Sequence, residues 1–174
     1  MTGADVHIPS LTTERLILRC PVREDFEPFA AILASPRARL MGGPFDRSGA
    51  WSFFASDLAS WHLDGYGGWS VTDRASGHFL GQVAIAKPAR FPETELGWCV
   101  TEEAEGKGIA FEAAETARRW GFAVRGLETL VSYIDPANAR SIALAERLGA
   151  VRDDAAERAD PDDLVYRHPV SRAA

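Results

Sequence analysis

Cysteine is scarce in this chain: only Cys20 and Cys99 occur, far apart and without metal-ligand spacing. That excludes a disulfide framework and a zinc-ribbon site, and it reads as two buried thiols in a reducing compartment. A basic excess is also missing. Lys and Arg total 19 against 25 Asp and Glu, a formal net charge of -6. A general nucleic-acid binder needs a basic face, so that class is set aside. The balance agrees better with small cationic or amine ligands. No apolar run approaches the ~20 residues of a membrane span. The start, MTGADVHIPSL, lacks the apolar core of a signal peptide. A soluble cytoplasmic protein with no membrane partner is expected, and the sequence leaves monomer and homodimer open. There is no GxxxxGK[ST] or GxGxxG segment, which removes the usual nucleotide-binding folds.

What is present suits one globular domain over 1–174, with a core of about 11–169. Hydrophobic residues make up 46% and charged residues 25%, ordinary globular usage in a chain long enough for a sizeable core. After a loose start over residues 1–11, Leu16–Arg19 reads as a strand. Phe26, Phe29, Ala30 and Leu33 then recur at helical spacing, and Ser35-Pro36 stops the helix. A second stripe, Trp51, Phe54, Ala55 and Leu58 with Trp61, ends near Leu63-Asp64-Gly65. These aromatics either cover a sheet or wall a substrate cleft. Three strands follow, over residues 67–72, 78–86 and 94–100, joined by short polar or proline-bearing turns, which implies an antiparallel meander.

The stretch from Thr94 to Val124 joins the third strand to a glycine-bearing loop and an alanine-rich helix beginning near Gly108. Gly106 and Gly108 permit backbone conformations closed to other residues. The unpaired N–H groups and positive end of the helix face the same loop, which makes it a ready anion site. An ordinary strand-to-helix turn is the plainer alternative. Beyond it lie a strand over 127–134, a short helix after Asn138 ending at Gly149, the possible start of a strand at Ala150-Val151-Arg152, and a last strand over 164–168. The helix-linked return favours a parallel neighbour. The result is an α+β domain on a mixed sheet.

This order of elements and five motifs resemble the GNAT superfamily of acetyl-CoA-dependent N-acetyltransferases. The similarity is greatest to the group containing the RimJ and RimL ribosomal-protein N-acetyltransferases. The motifs are Leu11–Arg19, Glu95-Leu96-Gly97-Trp98, Gly106–Ala110 with Glu112-Ala113, Asn138–Ser141 with Glu146–Gly149, and Val165–Pro169. The resemblance implies a mostly antiparallel central sheet of six to seven strands with about four helices. Acetyl-CoA would be the acyl donor, with its diphosphate on the backbone of Gly106, Lys107, Gly108, Ile109, Ala110 and Phe111. The backbones of Trp98, Cys99 and Val100 and the Asn138 side chain would hold its pantetheine arm. By the same resemblance the Val100 amide polarises the thioester carbonyl and Ser141 protonates the departing thiolate. Asn138 also reads as a helix N-cap, and Ser141 as a solvent-facing helix residue.

Glu95, at the start of the central strand, is the expected general base for the acceptor amine. A strand-end charge is its plainer reading, and Glu14, His62 and His78 are weaker alternatives. The family's Gln or Arg before the loop is replaced here by Glu105, expected to point outward because a carboxylate repels a diphosphate. The acceptor is expected to be a protein N-terminal amine or a small-molecule amine. Its wall would come from Met41–Leu63, made aromatic by Trp51, Phe54, Trp61 and Tyr66. A non-catalytic acyl-CoA sensor is the rival class. No metal is expected.

Overall fold

A computed structural model describes residues 6–170. Eight strands form one sheet in the order β1-β2-β3-β4-β5-β6-β8-β7. They are β1 (Leu11–Thr12), β2 (Leu16–Arg19), β3 (Gly68–Asp73), β4 (Phe79–Ala86), β5 (Glu95–Val100), β6 (Val131–Ile134), β7 (Val151–Arg152) and β8 (Leu164–Arg167). Every neighbouring pair is antiparallel except β5 with β6. Four α-helices accompany the sheet: α1 (Phe26–Ala34), α2 (Arg47–Leu63), α3 (Ile109–Ala123) and α4 (Ala139–Arg147). The α+β class, the mixed sheet and the parallel return are as expected. The additional strand is β1, whose two residues pair with β2, too short to show a period in sequence.

Two segments differ from expectation. The start is not loose from residue 6 onward: Val6 and Ile8 pack on the core, and the Trp69 indole donates to the Pro9 carbonyl at 2.8 Å. Residues 1–5 lie outside the described part. The strand expected from Leu127 begins only at Val131, because the Leu127 amide is taken by the Gly121 carbonyl in the turn after α3.

Strand alternation sorts the sheet into two faces. Leu16, Leu18, Trp69, Val83, Ile85 and Leu96 are fully buried on one face, against Ile109, Ala113 and Ala117 of α3. The alanines let that helix lie close. A Cβ on Gly121 would come within 2.9 Å of Ile85. The opposite face is covered by α1 and α2 through a cluster of Phe26, Phe29, Leu33, Ala50 and Phe54. Further along this face the row Gly68, Ala84 and Gly97, in register across β3, β4 and β5, has almost no side chain. Space is left above Ala84 and Gly97, while Asp57 and Gln82 close over Gly68.

Candidate active site

The site begins where the sheet comes apart. β5 and β6 share one register pair, Glu95 with Val131, and the Val131 amide bonds the Thr94 carbonyl. One step on, the parallel ladder stops. The Leu96 carbonyl accepts from the Ser132 hydroxyl at 2.6 Å, and the Tyr133 amide turns to the Glu95 carboxylate at 3.4 Å. Because Thr101 N–H bonds Leu80 C=O, alternation of the antiparallel ladder sends the polar groups of Glu95, Gly97 and Cys99 toward β4. Those of Leu96, Trp98 and Val100 face the gap. Trp98 and the Val100 N–H thus sit on an open strand edge suited to an extended, amide-bearing ligand. The Val100 carbonyl accepts from Arg37 at 3.4 Å. Cys99 departs from expectation: its backbone belongs to the ladder with Gln82, so it has nothing to offer the gap. Its thiol is equally unsuited to carrying an acyl group, since burial pushes its pKa up to about 12.

Behind the gap, Ser132 also meets His168 Nε2 at 2.9 Å. The hydroxyl proton is committed to Leu96, so His168 donates from Nε2. Burial, reinforced by the nearby Arg118 charge, lowers the His168 pKa to about 4, and the ring stays neutral. This buried pair satisfies the carbonyl that the divergence orphaned.

Gly106 and Gly108 both adopt left-handed φ, 69° and 76°, bringing the loop round to the start of α3. No side chain caps α3, which leaves its first amides, at Ile109, Ala110 and Phe111, open to an anion. The Lys107 carbonyl is anchored by Arg15 at 3.0 Å, and Arg15 also bonds Glu112 at 2.6 and 2.8 Å. That pairing ties the loop to the sheet. Glu105 does not point outward. It is half-buried, ion-paired with Arg37 and, at 2.5 Å, with Arg140. Two guanidiniums against one carboxylate leave this rim net positive, which answers the repulsion expected from the sequence.

Asn138 caps α4 by accepting from the Ser141 amide at 3.2 Å. Both residues line a cavity of about 580 Å³ that also contains Glu95, Trp98 and Tyr133. The cavity extends over Ala84 and Gly97 of the bare row to α2. Its wall is not the aromatic set read from the sequence: Phe54 and Trp61 are core residues, Trp51 is exposed, and Tyr66 packs against the core. Ser52, Phe53, Ser56 and Asp57 face the cavity instead, with Phe29 from α1. Glu14, His62 and His78 are exposed and lie outside its lining.

Two carboxyls in the cavity are abnormal. Burial lifts Glu95 to about 7, against the Tyr133 amide, which favours the charge, and with help from Asp57. Burial likewise lifts Asp57 to about 7, opposed by Gln82. Asp57 carries no local signal because it lies within a helix, between Ser56 and Leu58, and its surroundings come from strands distant in the chain. An Asp raised from 3.8 to about 7 binds more protons folded than unfolded between those values. Its contribution therefore favours folding at low pH and is progressively lost as pH rises through 7. Asp57→Asn is expected to raise the melting temperature at pH 8, with the gain shrinking toward pH 5. A melting series over that range checks it; a gain independent of pH contradicts the assignment.

The model of the acetyltransferase (GNAT) domain family matches residues 15–151. Among solved structures, an acetyltransferase from Agrobacterium tumefaciens is 44% identical, covers 97% of this chain and 99% of its own, and superposes with a TM-score of 0.91. A ribosomal-protein-S5-alanine acetyltransferase from Vibrio fischeri is 18% identical, with 95% and 98% covered and a TM-score of 0.68. A spermidine N-acetyltransferase from Vibrio cholerae, in complex with CoA and spermine, is 17% identical, with 89% and 94% covered and a TM-score of 0.69. The last two share the fold. Among the described residues no helix is long and apolar enough to cross a membrane, and no cluster of metal-ligating side chains occurs. Matched over most of its length, the chain belongs to the GNAT acetyltransferase family and is an acetyl-CoA-dependent N-acetyltransferase.

Proposed function

We propose that the chain acetylates a primary amine by direct attack in a ternary complex, with the acceptor on the α1–α2 side of the sheet and the donor in the gap between β5 and β6. The observation that carries this is the continuity of the cavity. It joins Glu95 on one side to Trp98, Asn138 and Ser141 on the other, so an amine and a thioester meet without further opening. Acetyl-CoA supplies the acetyl group as an activated thioester. The amides of residues 106–111 hold the diphosphate, helped by Lys107 and the net positive rim of Arg37 and Arg140. Trp98, the Val100 amide and the free Nδ2 of Asn138 align the pantetheine arm. Glu95, poised near neutral pH, takes the amine proton as the N–C bond forms. The Val100 N–H stabilises charge on the carbonyl oxygen, and the Ser141 hydroxyl donates to the departing sulfur as the C–S bond breaks. Holding both reactants in line supplies much of the rate.

The acceptor is a protein N-terminal amine or a small-molecule amine; distant relatives of shared fold do not choose between them. A free-thiol release screen with acetyl-CoA over small amines and N-terminal peptides tests the reading. Thiol release dependent on an amine is expected. Acetyl-CoA binding without release for any amine contradicts it. Ser141→Ala is expected to slow kcat about 10- to 100-fold and to leave acetyl-CoA affinity close to wild type, measured by titration. Undiminished turnover would remove Ser141 from the step.

A further inference from the structure

The bare row Gly68–Ala84–Gly97 crosses three strands in register, and a carboxyl overhangs each end. At one end the Asp57 carboxyl carbon lies 3.5 Å from where a Cβ on Gly68 would stand, with Gln82 Nε2 at 2.7 Å from the same point. Asp57 and Gln82 already close this corner, and any side chain on Gly68 would collide with them. At the other end the Glu95 carboxyl lies 3.8 Å from a Cβ placed on Gly97. Two strand spacings separate the ends, about 9–10 Å. Gln82 is 5% exposed; its Nε2 leans toward the Asp57 carboxyl, whose ionised form it favours, yet it closes no full hydrogen bond among the described residues. A buried amide without a partner is costly unless something else meets it. Asp57 also makes no ion pair with any basic side chain among the described residues. Around the cavity, Asp57, Glu95, Asp135, Asp160 and Asp163 outnumber Arg39 and Arg90, which focuses a negative potential inside it.

We propose that Asp57, with Gln82 behind it favouring its charged form, is a second recognition point for the acceptor, opposite Glu95, and that the acceptor is a compact diamine. One nitrogen is delivered to Glu95 and the thioester; the other, protonated, is held by Asp57. This rests on the acetyltransferase reading above. Three or four carbons place two nitrogens about 5–6 Å apart, enough to span the row with each within hydrogen-bond reach of its carboxylate. The raised pKa values of both carboxyls agree with a pair awaiting positive charge.

The test compares kcat/KM for 1,4-diaminobutane with that for 1-aminobutane, then follows diamines of two to six carbons. The wild type is expected to prefer the diamine by about tenfold or more, with an optimum at three or four carbons. In Asp57→Asn that ratio is expected to fall to near one. Thermal melting and acetyl-CoA titration show that the variant is folded and loaded; should it fail to fold, the wild-type length series still decides. No diamine preference, no optimum in length, or a preference that survives in a folded Asp57→Asn overturns the inference. Thiol release with 1-aminobutane or an N-terminal peptide alongside such a result leaves the acetyltransferase reading standing. No release with any amine, although acetyl-CoA binds, overturns both.

Discussion

Replacing Gly108 by Trp is expected to abolish acetyl-CoA binding. Gly108 holds φ at 76° immediately before α3, a conformation costing other residues roughly 1–2 kcal/mol. Strain alone would weaken the loop. The larger effect is steric and electrostatic, because an indole there would stand over the open amides of Ile109, Ala110 and Phe111. Its Cβ would already be in contact with Arg15 Nη2, at 3.5 Å, so the bulk beyond Cβ would have to find room beside the Arg15–Glu112 pair. Wild-type protein with acetyl-CoA at 100 times its Kd gains about 2.7 kcal/mol of stability, visible as a rise in melting temperature. The folded variant should show none. A full shift in Gly108→Trp would move the diphosphate elsewhere.

Glu95→Gln is expected to lower kcat by about 10²- to 10⁴-fold, the usual worth of a positioned general base. The substitution keeps the shape and an oxygen for the Tyr133 amide, which the carboxylate now meets at 3.4 Å. The loss would therefore be chemical. A base works ionised, so wild-type kcat should rise with pH through about 7, and this limb should vanish in the variant. Desolvation sets most of the limb, and the Asp57 charge adds to it, so Asp57→Asn should move it to lower pH. A Glu95→Gln enzyme with near wild-type kcat and an unchanged profile would exclude Glu95 as base.

The parts of the site that sequence displayed are local ones. Gly106, Gly108 and the alanine stripe of α3 lie within one short stretch, and their meaning follows from backbone conformation and helix ends. Asn138 is legible as a helix cap for the same reason, whereas the parts given to Asn138 and Ser141 at the donor come from the family resemblance. What stayed hidden depends on partners far off in the chain. Glu105 read as a repulsive departure until Arg37 and Arg140 were found against it. Cys99 sits between Trp98 and Val100 in sequence, but ladder alternation points its backbone the other way, a fact set by register with β4. Asp57 and Gln82 meet only because β3 carries Gly68 between them. The aromatic pattern in α2 misled because helical spacing does not say which face looks into a cavity and which into the core.

Backbone hydrogen–deuterium exchange with and without acetyl-CoA tests the central assignment most directly. The ligand should slow exchange at the amides of Trp98, Val100 and Ile109–Phe111, the groups aimed into the gap and at the start of α3. The Cys99 amide, already committed to β4, should change little. Binding that leaves Trp98, Val100 and the first turn of α3 unprotected, or protects another surface in their place, would contradict the account.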